Sequence, residues 1–266
     1  MDSWSSLALA LVAALGMMTL VWVASLVKRD ASIVDVFWGL GFALAGGIYF
    51  LTAETHLPRG YLVVGLVTLW GLRLSLYILW RNWGQGEDYR YREMRERHRE
   101  SFAVWSLFVV FWFQAVLLWV VSTPLHRAQH PEPASFTVLD VIGLGLFAVG
   151  FAFEAGGDWQ LARFKAEPSN KGKVMDRGFW RYTRHPNYFG DAVVWWGFFC
   201  FAAATGGWWT VYSPILMTLL LMRVSGVTLL EKKLQETKPA YRDYAERTNA
   251  FFPWFPAPPP SEKPDP

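Results

Sequence analysis

Residues 7–27 read LALALVAALGMMTLVWVASLV and contain no charged side chain. About twenty consecutive apolar residues are enough for a helix to cross a bilayer. Six further runs of this kind follow, and backbone polar groups within lipid are satisfied best by helices. The sequence therefore predicts an all-α, polytopic membrane protein with seven transmembrane helices. The seven runs are Leu7–Val27, Ile33–Leu51, Tyr61–Leu79, Phe102–Val121, Val138–Ala155, Tyr188–Ala204 and Trp208–Leu230.

The composition favours a membrane domain over a soluble one. Of the 266 residues, 53% are hydrophobic and 18% are charged, whereas soluble domains average about 25% charged residues. The single cysteine, Cys200, excludes an internal disulfide framework and a multi-cysteine metal site. We expect one membrane domain over residues 1–255 and a disordered, proline-rich tail over residues 256–266.

Basic residues are distributed unevenly between the two sets of predicted loops. Arg59 and Arg127 lie on one side, and the other loop lysines and arginines lie on the opposite side. Because positive residues concentrate in cytoplasmic loops, the pattern predicts an N-terminus outside and a C-terminus in the cytoplasm. The basic loops also suit acidic lipid headgroups or a phosphorylated ligand.

Several ionisable side chains fall within or at the ends of the predicted spans, where they are costly and usually face a partner or a cavity. They are Asp35, Arg73, Arg81, Glu154, Asp158, Asp191 and Arg223. A structural ion pair, for instance between Asp35 and Arg73, is one explanation. A polar cavity near one side of the membrane fits this number of groups better. The glycines Gly143, Gly145 and Gly150 favour close helix packing.

The densest polar stretch is GKVMDRGFWRYTRHPNYFGD, residues 172–191, directly before the sixth predicted span. Cations and a helix N-terminus favour a phosphate group, although aromatic anchoring at the headgroup level is an alternative. The sequence has no Rossmann, Walker, zinc-protease or nucleophile-elbow motif. The histidines lack ligand-like neighbours, so we expect neither a metal site nor nucleic-acid binding.

The segment NYFGD, residues 187–191, with Trp195 resembles the Asn-Tyr-x-Gly-Glu/Asp…Trp signature of membrane steroid 5α-reductases and sterol reductases. The stretch from Asp158 to Lys165 resembles the segment that precedes this signature in the family. Arg73 with Tyr77 resembles the family's Arg-x-x-x-Tyr on the third span. Arg223 and residues 238–244 match its last span and C-terminal helix. The resemblance covers nearly the whole chain and points to the bacterial branch, hence to a bacterial inner membrane.

The resemblance implies an NADPH-dependent 3-oxo-5α-steroid 4-dehydrogenase (steroid 5α-reductase) whose active site faces the cytoplasm. Such an enzyme reduces the Δ4 double bond of a 3-oxo-Δ4 steroid, or of a similar enone lipid, with hydride to C5 and a proton to C4. The implied cofactor contacts are Arg73, Tyr77, Arg81, Glu154, Asp158, Lys165, Tyr182, Asn187, Asp191, Trp195 and Arg223.

The resemblance also implies a pair of catalytic acids. Asp35 takes the place of the family's catalytic glutamate, and Trp70 takes the place of its partner tyrosine. Tyr77, Tyr89 and Tyr91 are therefore open for the second role, with Tyr77 and Asp35 as the predicted catalytic residues. Asp35 can donate a proton alone only if it is protonated near neutral pH.

A different enzyme class shares part of this pattern. The string RHPNY, residues 184–188, and the spacing from Arg223 to Glu231 resemble membrane methyltransferases of the isoprenylcysteine or phospholipid type, which use S-adenosylmethionine. Their tandem Glu-Glu is Leu230-Glu231 here, and Asp35 and Arg73 stand at reductase-like positions, so the reductase is the favoured prediction. A non-enzymatic sterol-binding or scaffold protein is a third possibility. In every case the expected partners include membrane lipids.

Overall fold

The computed structural model describes residues 2–129, 133, 135–224, 231 and 241–258. Within these residues every regular element is a helix and no strand occurs, which confirms the all-α prediction. The chain divides into two compact units, and each is described by itself. The first contains Met1–Val141 and Phe198–Ser213, and the second contains Ile142–Gly197 and Pro214–Pro266.

The described residues form eleven α-helices, numbered in chain order. They are α1 (Ser3–Lys28), α2 (Val34–Thr52), α3 (Pro58–Asn82), α4 (Tyr89–His98), α5 (Phe102–Ser106), α6 (Phe113–Val121), α7 (Thr123–Ala128), α8 (Val138–Ala166), α9 (Pro186–Ala204), α10 (Tyr212–Leu219) and α11 (Tyr241–Arg247). A π-helical segment, Leu107–Trp112, joins α5 to α6. Residues 102–121 therefore form one continuous helix with the bounds predicted for the fourth span.

Within the described residues, five helical segments are long and apolar enough to cross a membrane, and each contains one of the first five predicted spans. They are Ser3–Lys28, Ala31–Thr52, Pro58–Asn82, Tyr89–Ala128 and Val138–Ala166. The chain is therefore described as an integral membrane protein. The sixth predicted span corresponds to α9, and the seventh corresponds in part to residues 208–224. Its last residues, 225–230, lie outside the described part of the chain.

In the first unit, α2 and α3 approach each other through two facing glycines. A Cβ atom built at Gly71 would lie 2.3 Å from the carbonyl oxygen of Gly39, and one built at Gly39 would lie 2.4 Å from the carbonyl oxygen of Gly71. Next to this crossing, the Ser75 hydroxyl accepts a hydrogen bond from the Leu40 amide at 3.1 Å. Small residues let membrane helices pack backbone to backbone, and this contact fixes α2, which carries Asp35.

We expect Gly71→Ala to destabilise the protein by about 1–3 kcal/mol, because the added methyl group meets a backbone atom that cannot move without shifting a helix. Thermal unfolding of the detergent-purified protein measures the effect. The matched control is Gly65→Ala in the same helix, where a Cβ atom would meet nothing within 4 Å. Equal melting temperatures for the two variants would contradict the tight crossing.

The second unit contains a similar contact between α8 and α9. A Cβ atom at Gly190 would lie 2.4 Å from the carbonyl oxygen of Gly150, and one at Gly197 would lie 2.8 Å from the carbonyl oxygen of Gly143. The expectation of close packing is confirmed for these positions. At Gly145 a Cβ atom would meet nothing within 4 Å, so this glycine does not take part.

Candidate functional site

Asp35 lies in the first turn of α2 and is held by two side chains of α4. The Tyr91 hydroxyl donates a hydrogen bond to Asp35 Oδ1 at 2.6 Å, and the Arg90 guanidinium donates to Asp35 Oδ2 at 3.0 Å. Both carboxylate oxygens are thus engaged, one by a phenolic hydroxyl and one by a cation. Tyr91 is buried, whereas Asp35 and Arg90 keep 23% and 31% of their side-chain surface exposed. Asp35 is thus held by one buried and one partly exposed side chain of α4.

The start of α4 is attached to the start of α2 by further polar contacts. Glu87 accepts hydrogen bonds from the Ala31 amide at 2.8 Å and from Arg95 at 2.7 Å, and the Ser32 hydroxyl accepts one from the Asp88 amide at 3.3 Å. Burial opposes ionisation of Glu87, but these hydrogen bonds lower its pKa below the ordinary value. Glu87 is therefore a stable anion that holds the loop, and it positions the residues that follow it in α4.

Arg73, Tyr77 and Arg81 form a stripe on α3. The guanidinium carbons of Arg73 and Arg81 lie 5.3 and 5.7 Å from the centroid of the Tyr77 ring. Both distances fall within the range of cation–π contacts, so the predicted grouping of these three residues exists. The hydrogen bond to Asp35, however, comes from Tyr91, and its ion pair comes from Arg90. The suggested pairing of Asp35 with Arg73 is replaced by the Arg90 pair.

A small cleft opens in the first unit near the start of α2, and neither Asp35 nor Tyr91 lines it. Its volume is about 210 Å³, which is below the roughly 300–1,000 Å³ of ordinary ligand pockets. It is lined by Lys28, Asp30, Ser32, Ile33, Val36, Leu79, Asn82, Trp83, Gly84 and Gly86. The cleft by itself accommodates part of a ligand only.

The second unit buries three of the predicted carboxylates, with exposed fractions of 2%, 3% and 8% for Glu154, Asp158 and Asp191. Glu154 and Asp158 lie one turn apart on α8, and Asp191 lies in α9 next to the glycine contact. The Asn187 amide donates a hydrogen bond to Asp158 Oδ1 at 3.1 Å. Trp195 is fully buried one turn after Asp191. The structure thus gathers these predicted residues on one helix pair.

The remaining predicted contacts of this unit are more exposed. Lys165 and Arg223 are exposed, and Tyr182 is half-buried with its ring against Phe255 at 5.8 Å between centroids. Long cationic side chains at the surface are able to reach a phosphate group. Their assignment to a cofactor stays a prediction.

Arg184 is committed to a structural role that the sequence did not indicate. Its guanidinium binds both carboxylate oxygens of Glu231, at 2.7 and 2.9 Å, and donates to the carbonyl oxygens of Ala245 and Thr248. His185 contacts the same carboxylate at 3.2 Å. Arg184 therefore anchors the C-terminal segment and uses four of its five N–H donors within the protein.

Glu231 makes the stability of this unit depend on pH. Burial opposes its ionisation, but the hydrogen bonds from His185 and Arg184 lower its pKa below the ordinary value of 4.5. The stabilisation is present above this unfolded-state value and is lost as the pH falls through the folded-state pKa. We expect the melting temperature of Glu231→Gln to fall less steeply with decreasing pH than that of the unmodified protein. An unchanged slope of melting temperature against pH below 4.5 would contradict this assignment.

Residues 21–248 match the family described as "Protein of unknown function (DUF1295)". The chain belongs to this family. The DUF1295 family is part of the steroid reductase-like superfamily. The chain is also similar to uncharacterized protein C594.04c of Schizosaccharomyces pombe, with 26% identity over 261 residues that cover 87% of this chain and 75% of that protein. No solved structure matches it.

Membership of the DUF1295 family raises the question of whether the second unit suits a pyridine nucleotide. Asn187 donates through its Nδ2 atom to Asp158, while its buried Oδ1 atom accepts no hydrogen bond from the described residues. A carboxamide or a ribose hydroxyl offers the donor that this oxygen lacks. The exposed Lys165 and Arg223 of the same unit carry charges that suit phosphate groups. These residues offer the kinds of group that a pyridine nucleotide would contact.

Proposed function

We propose that this protein is an NADPH-dependent reductase of an enone lipid, with a 3-oxo-Δ4 steroid as the model substrate. The observation that carries the proposal is the short hydrogen bond from Tyr91 to Asp35, beside the cation of Arg90. A ketone conjugated to a double bond is activated when hydrogen-bond donors stabilise the negative charge that develops on its oxygen. An acid pair at the start of a membrane helix meets this requirement for a substrate that arrives from the bilayer.

Each residue of the pair has a role of its own. In the proposed reaction Asp35, in its protonated form, donates a hydrogen bond to the Tyr91 oxygen. Tyr91 then turns its single hydroxyl proton from Asp35 to the substrate ketone. Arg90 holds the second oxygen of Asp35 and keeps the carboxylate in position. During the reaction C5 accepts a hydride and C4 takes up a proton, so that the double bond becomes a single bond.

NADPH, when bound, supplies the hydride. Asp158 and Asn187 are the proposed contacts with its nicotinamide ribose or carboxamide, because Asn187 offers an unused acceptor. The exposed Lys165 and Arg223 of the same unit are proposed contacts with its phosphate groups. The roles of Arg73, Tyr77 and Arg81 toward the cofactor stay predictions from the resemblance. The other predicted cofactor contacts are retained as part of the proposal.

We also propose the full seven-span topology, with the N-terminus outside and the active site on the cytoplasmic side of a bacterial inner membrane. The distribution of basic residues supports this orientation. The helix α9 has 19 residues, which is close to the length needed to cross the hydrocarbon core.

A methyltransferase that uses S-adenosylmethionine is the second candidate. It is favoured by the contact of Arg184 and His185 with Glu231, because these residues belong to the segment that resembles such enzymes. The Tyr91–Asp35 pair has no evident role in that chemistry, and for this reason the reductase is preferred.

Thermal stabilisation of the purified protein distinguishes the candidates. A ligand that binds the native state raises the melting temperature by mass action. We expect NADPH to stabilise the protein and S-adenosylmethionine to have no effect. Stabilisation by the methyl donor alone would refute the reductase, and stabilisation by neither would favour a non-enzymatic lipid-binding role.

The same assay tests the role of Asn187. We expect Asn187→Ala to weaken NADPH binding about tenfold, which corresponds to the loss of one hydrogen bond of about 1.4 kcal/mol. Asn170→Ala is the matched control, because the Asn170 amide donates to the Phe164 carbonyl at 3.0 Å. If both variants bind NADPH with the affinity of the unmodified protein, the assignment is wrong.

A further inference from the structure

The C-terminal segment of the second unit exposes three large aromatic side chains close together in sequence. Phe252, Trp254 and Phe255 retain 63%, 69% and 75% of their surface. Scattered apolar residues on a surface are ordinary, but a contiguous aromatic group indicates a surface that is covered by something else.

Backbone and ring contacts hold this segment in a defined place. The Trp254 amide donates to the Tyr182 carbonyl at 2.9 Å, and the Ala257 amide donates to the Arg247 carbonyl at 2.9 Å. The Phe252 ring lies 6.4 Å from the ring of Phe189, at the start of α9. The aromatic side chains are therefore presented outward by a fixed backbone.

The C-terminal segment lies near the position along α8 where the helix is expected to leave the hydrocarbon core. The Trp180 indole donates to the Gly157 carbonyl at 3.0 Å, which places the loop beside Gly157. Twenty residues of helix, counted from Val138 to Gly157, span about 30 Å, which is the thickness of the hydrocarbon core. The loop, and the segment attached to it through Tyr182, thus lie where the headgroup region begins.

Exposed arginines accompany the aromatic residues. Arg181 precedes Tyr182 in the chain, Arg177 lies in the same loop, and Arg242 lies in α11, and all three are exposed. Tryptophan and tyrosine concentrate at membrane interfaces, and basic residues there attract anionic lipid headgroups. Both the charge and the aromatic character of this surface therefore suit a membrane interface that contains anionic lipids.

We propose that the segment Phe252–Phe255 is an interfacial anchor, which inserts its aromatic side chains into the headgroup region of the leaflet next to Gly157. The neighbouring arginines bind the phosphates of anionic lipids in that leaflet. The anchor attaches the C-terminal segment to the membrane at a point where Tyr182 and the Arg184–Glu231 contact are also held. This inference does not depend on which reaction the protein catalyses.

The test uses the full chain in vesicles of phosphatidylcholine and phosphatidylserine. Cys200, the single cysteine, is replaced by alanine, and Phe255→Cys is labelled with an environment-sensitive fluorophore. Lys171→Cys is the control, because Lys171 is exposed and follows the end of α8 at Ala166, about 14 Å beyond Gly157. We expect lipid-borne doxyl quenchers to reduce the fluorescence at position 255 at least about twofold more than at position 171.

Three results would overturn the proposal. In the first, the label at position 255 is quenched no more than the label at position 171. In the second, the label at position 255 is shielded from water but not quenched by the lipid, which would mean that protein covers the aromatic residues. The third concerns the arginines: replacing Arg177 and Arg181 by glutamine should lower membrane partitioning of the segment by about fivefold for each charge. Unchanged quenching in this double variant would contradict the binding of anionic headgroups.

Discussion

Replacing Tyr91 with phenylalanine should reduce turnover of a 3-oxo-Δ4 steroid by about 10²–10³-fold, because the variant lacks the hydroxyl proposed to stabilise charge on the ketone oxygen. The change removes one oxygen atom from a buried ring, and the helix that carries it keeps its contacts through Glu87 and Asp88. NADPH binding is expected to persist. Product formation by the purified protein measures the first effect, and thermal stabilisation by NADPH measures the second.

Two further variants define the role of the pair. Tyr89→Phe alters a neighbouring tyrosine of the same helix and is expected to retain most activity. Asp35→Asn preserves the shape of the side chain but cannot exchange a proton with Tyr91, so turnover should fall as strongly as in Tyr91→Phe. Full activity in Tyr91→Phe, or an equal loss in Tyr89→Phe, would contradict the proposed acid pair.

Arg59→Ala should destabilise the first unit by about 3–5 kcal/mol, because it leaves a buried carboxylate without its cation. Arg59 and Asp140 are both 2% exposed, and their side chains form two hydrogen bonds, at 2.7 and 2.8 Å. Arg59 also donates to the carbonyl oxygens of Pro133 and Ser135. One side chain thus holds the start of α3, the start of α8 and the chain before it.

Unfolding of the detergent-purified protein by heat or denaturant measures this loss. Arg92→Ala is the control, because Arg92 is an exposed arginine of α4. A combined replacement of Arg59 and Asp140 by leucine removes both charges and should recover part of the stability. A melting temperature of Arg59→Ala equal to that of Arg92→Ala would show that the buried pair contributes little.

The apolar runs were sufficient to predict most helix positions. The fourth span was predicted over residues 102–121, and the structure has continuous helix over these residues. Hydrophobic length determines such bounds locally, within one segment. Long-range contacts of basic residues were not predictable in this way. Arg59 was interpreted as one of two loop cations on its side, yet it is buried and paired with a residue 81 positions away.

The candidate site was predictable only in part, for the same physical reason. The sequence placed Asp35 in a span and left three tyrosines open for its partner. The chain between α3 and α4 turns through Gly84 and Gly86, both with φ of +73°, and this turn brings Tyr91 back to Asp35. Two glycines in a short polar loop were the only signal for that reversal, and they do not specify which tyrosine arrives.

In the basic segment before α9, the sequence suggested a ligand site where the structure has an internal contact. Its cations suggested a phosphate site, but Arg184 uses its donors for Glu231 and two carbonyl oxygens. A guanidinium serves a carboxylate and a phosphate equally well, so sequence spacing does not distinguish the two. The distinction required the position of Glu231, which lies 47 residues further along the chain.

Transfer of deuterium from the cofactor to the product tests the central claim most directly. The purified protein is incubated with NADPH that carries deuterium at the nicotinamide C4 position and with a 3-oxo-Δ4 steroid, and the lipid products are analysed by mass spectrometry. The account predicts a saturated ketone that contains one deuterium atom at C5. An unchanged steroid in the presence of NADPH, together with a methylated lipid when S-adenosylmethionine is supplied, would contradict it.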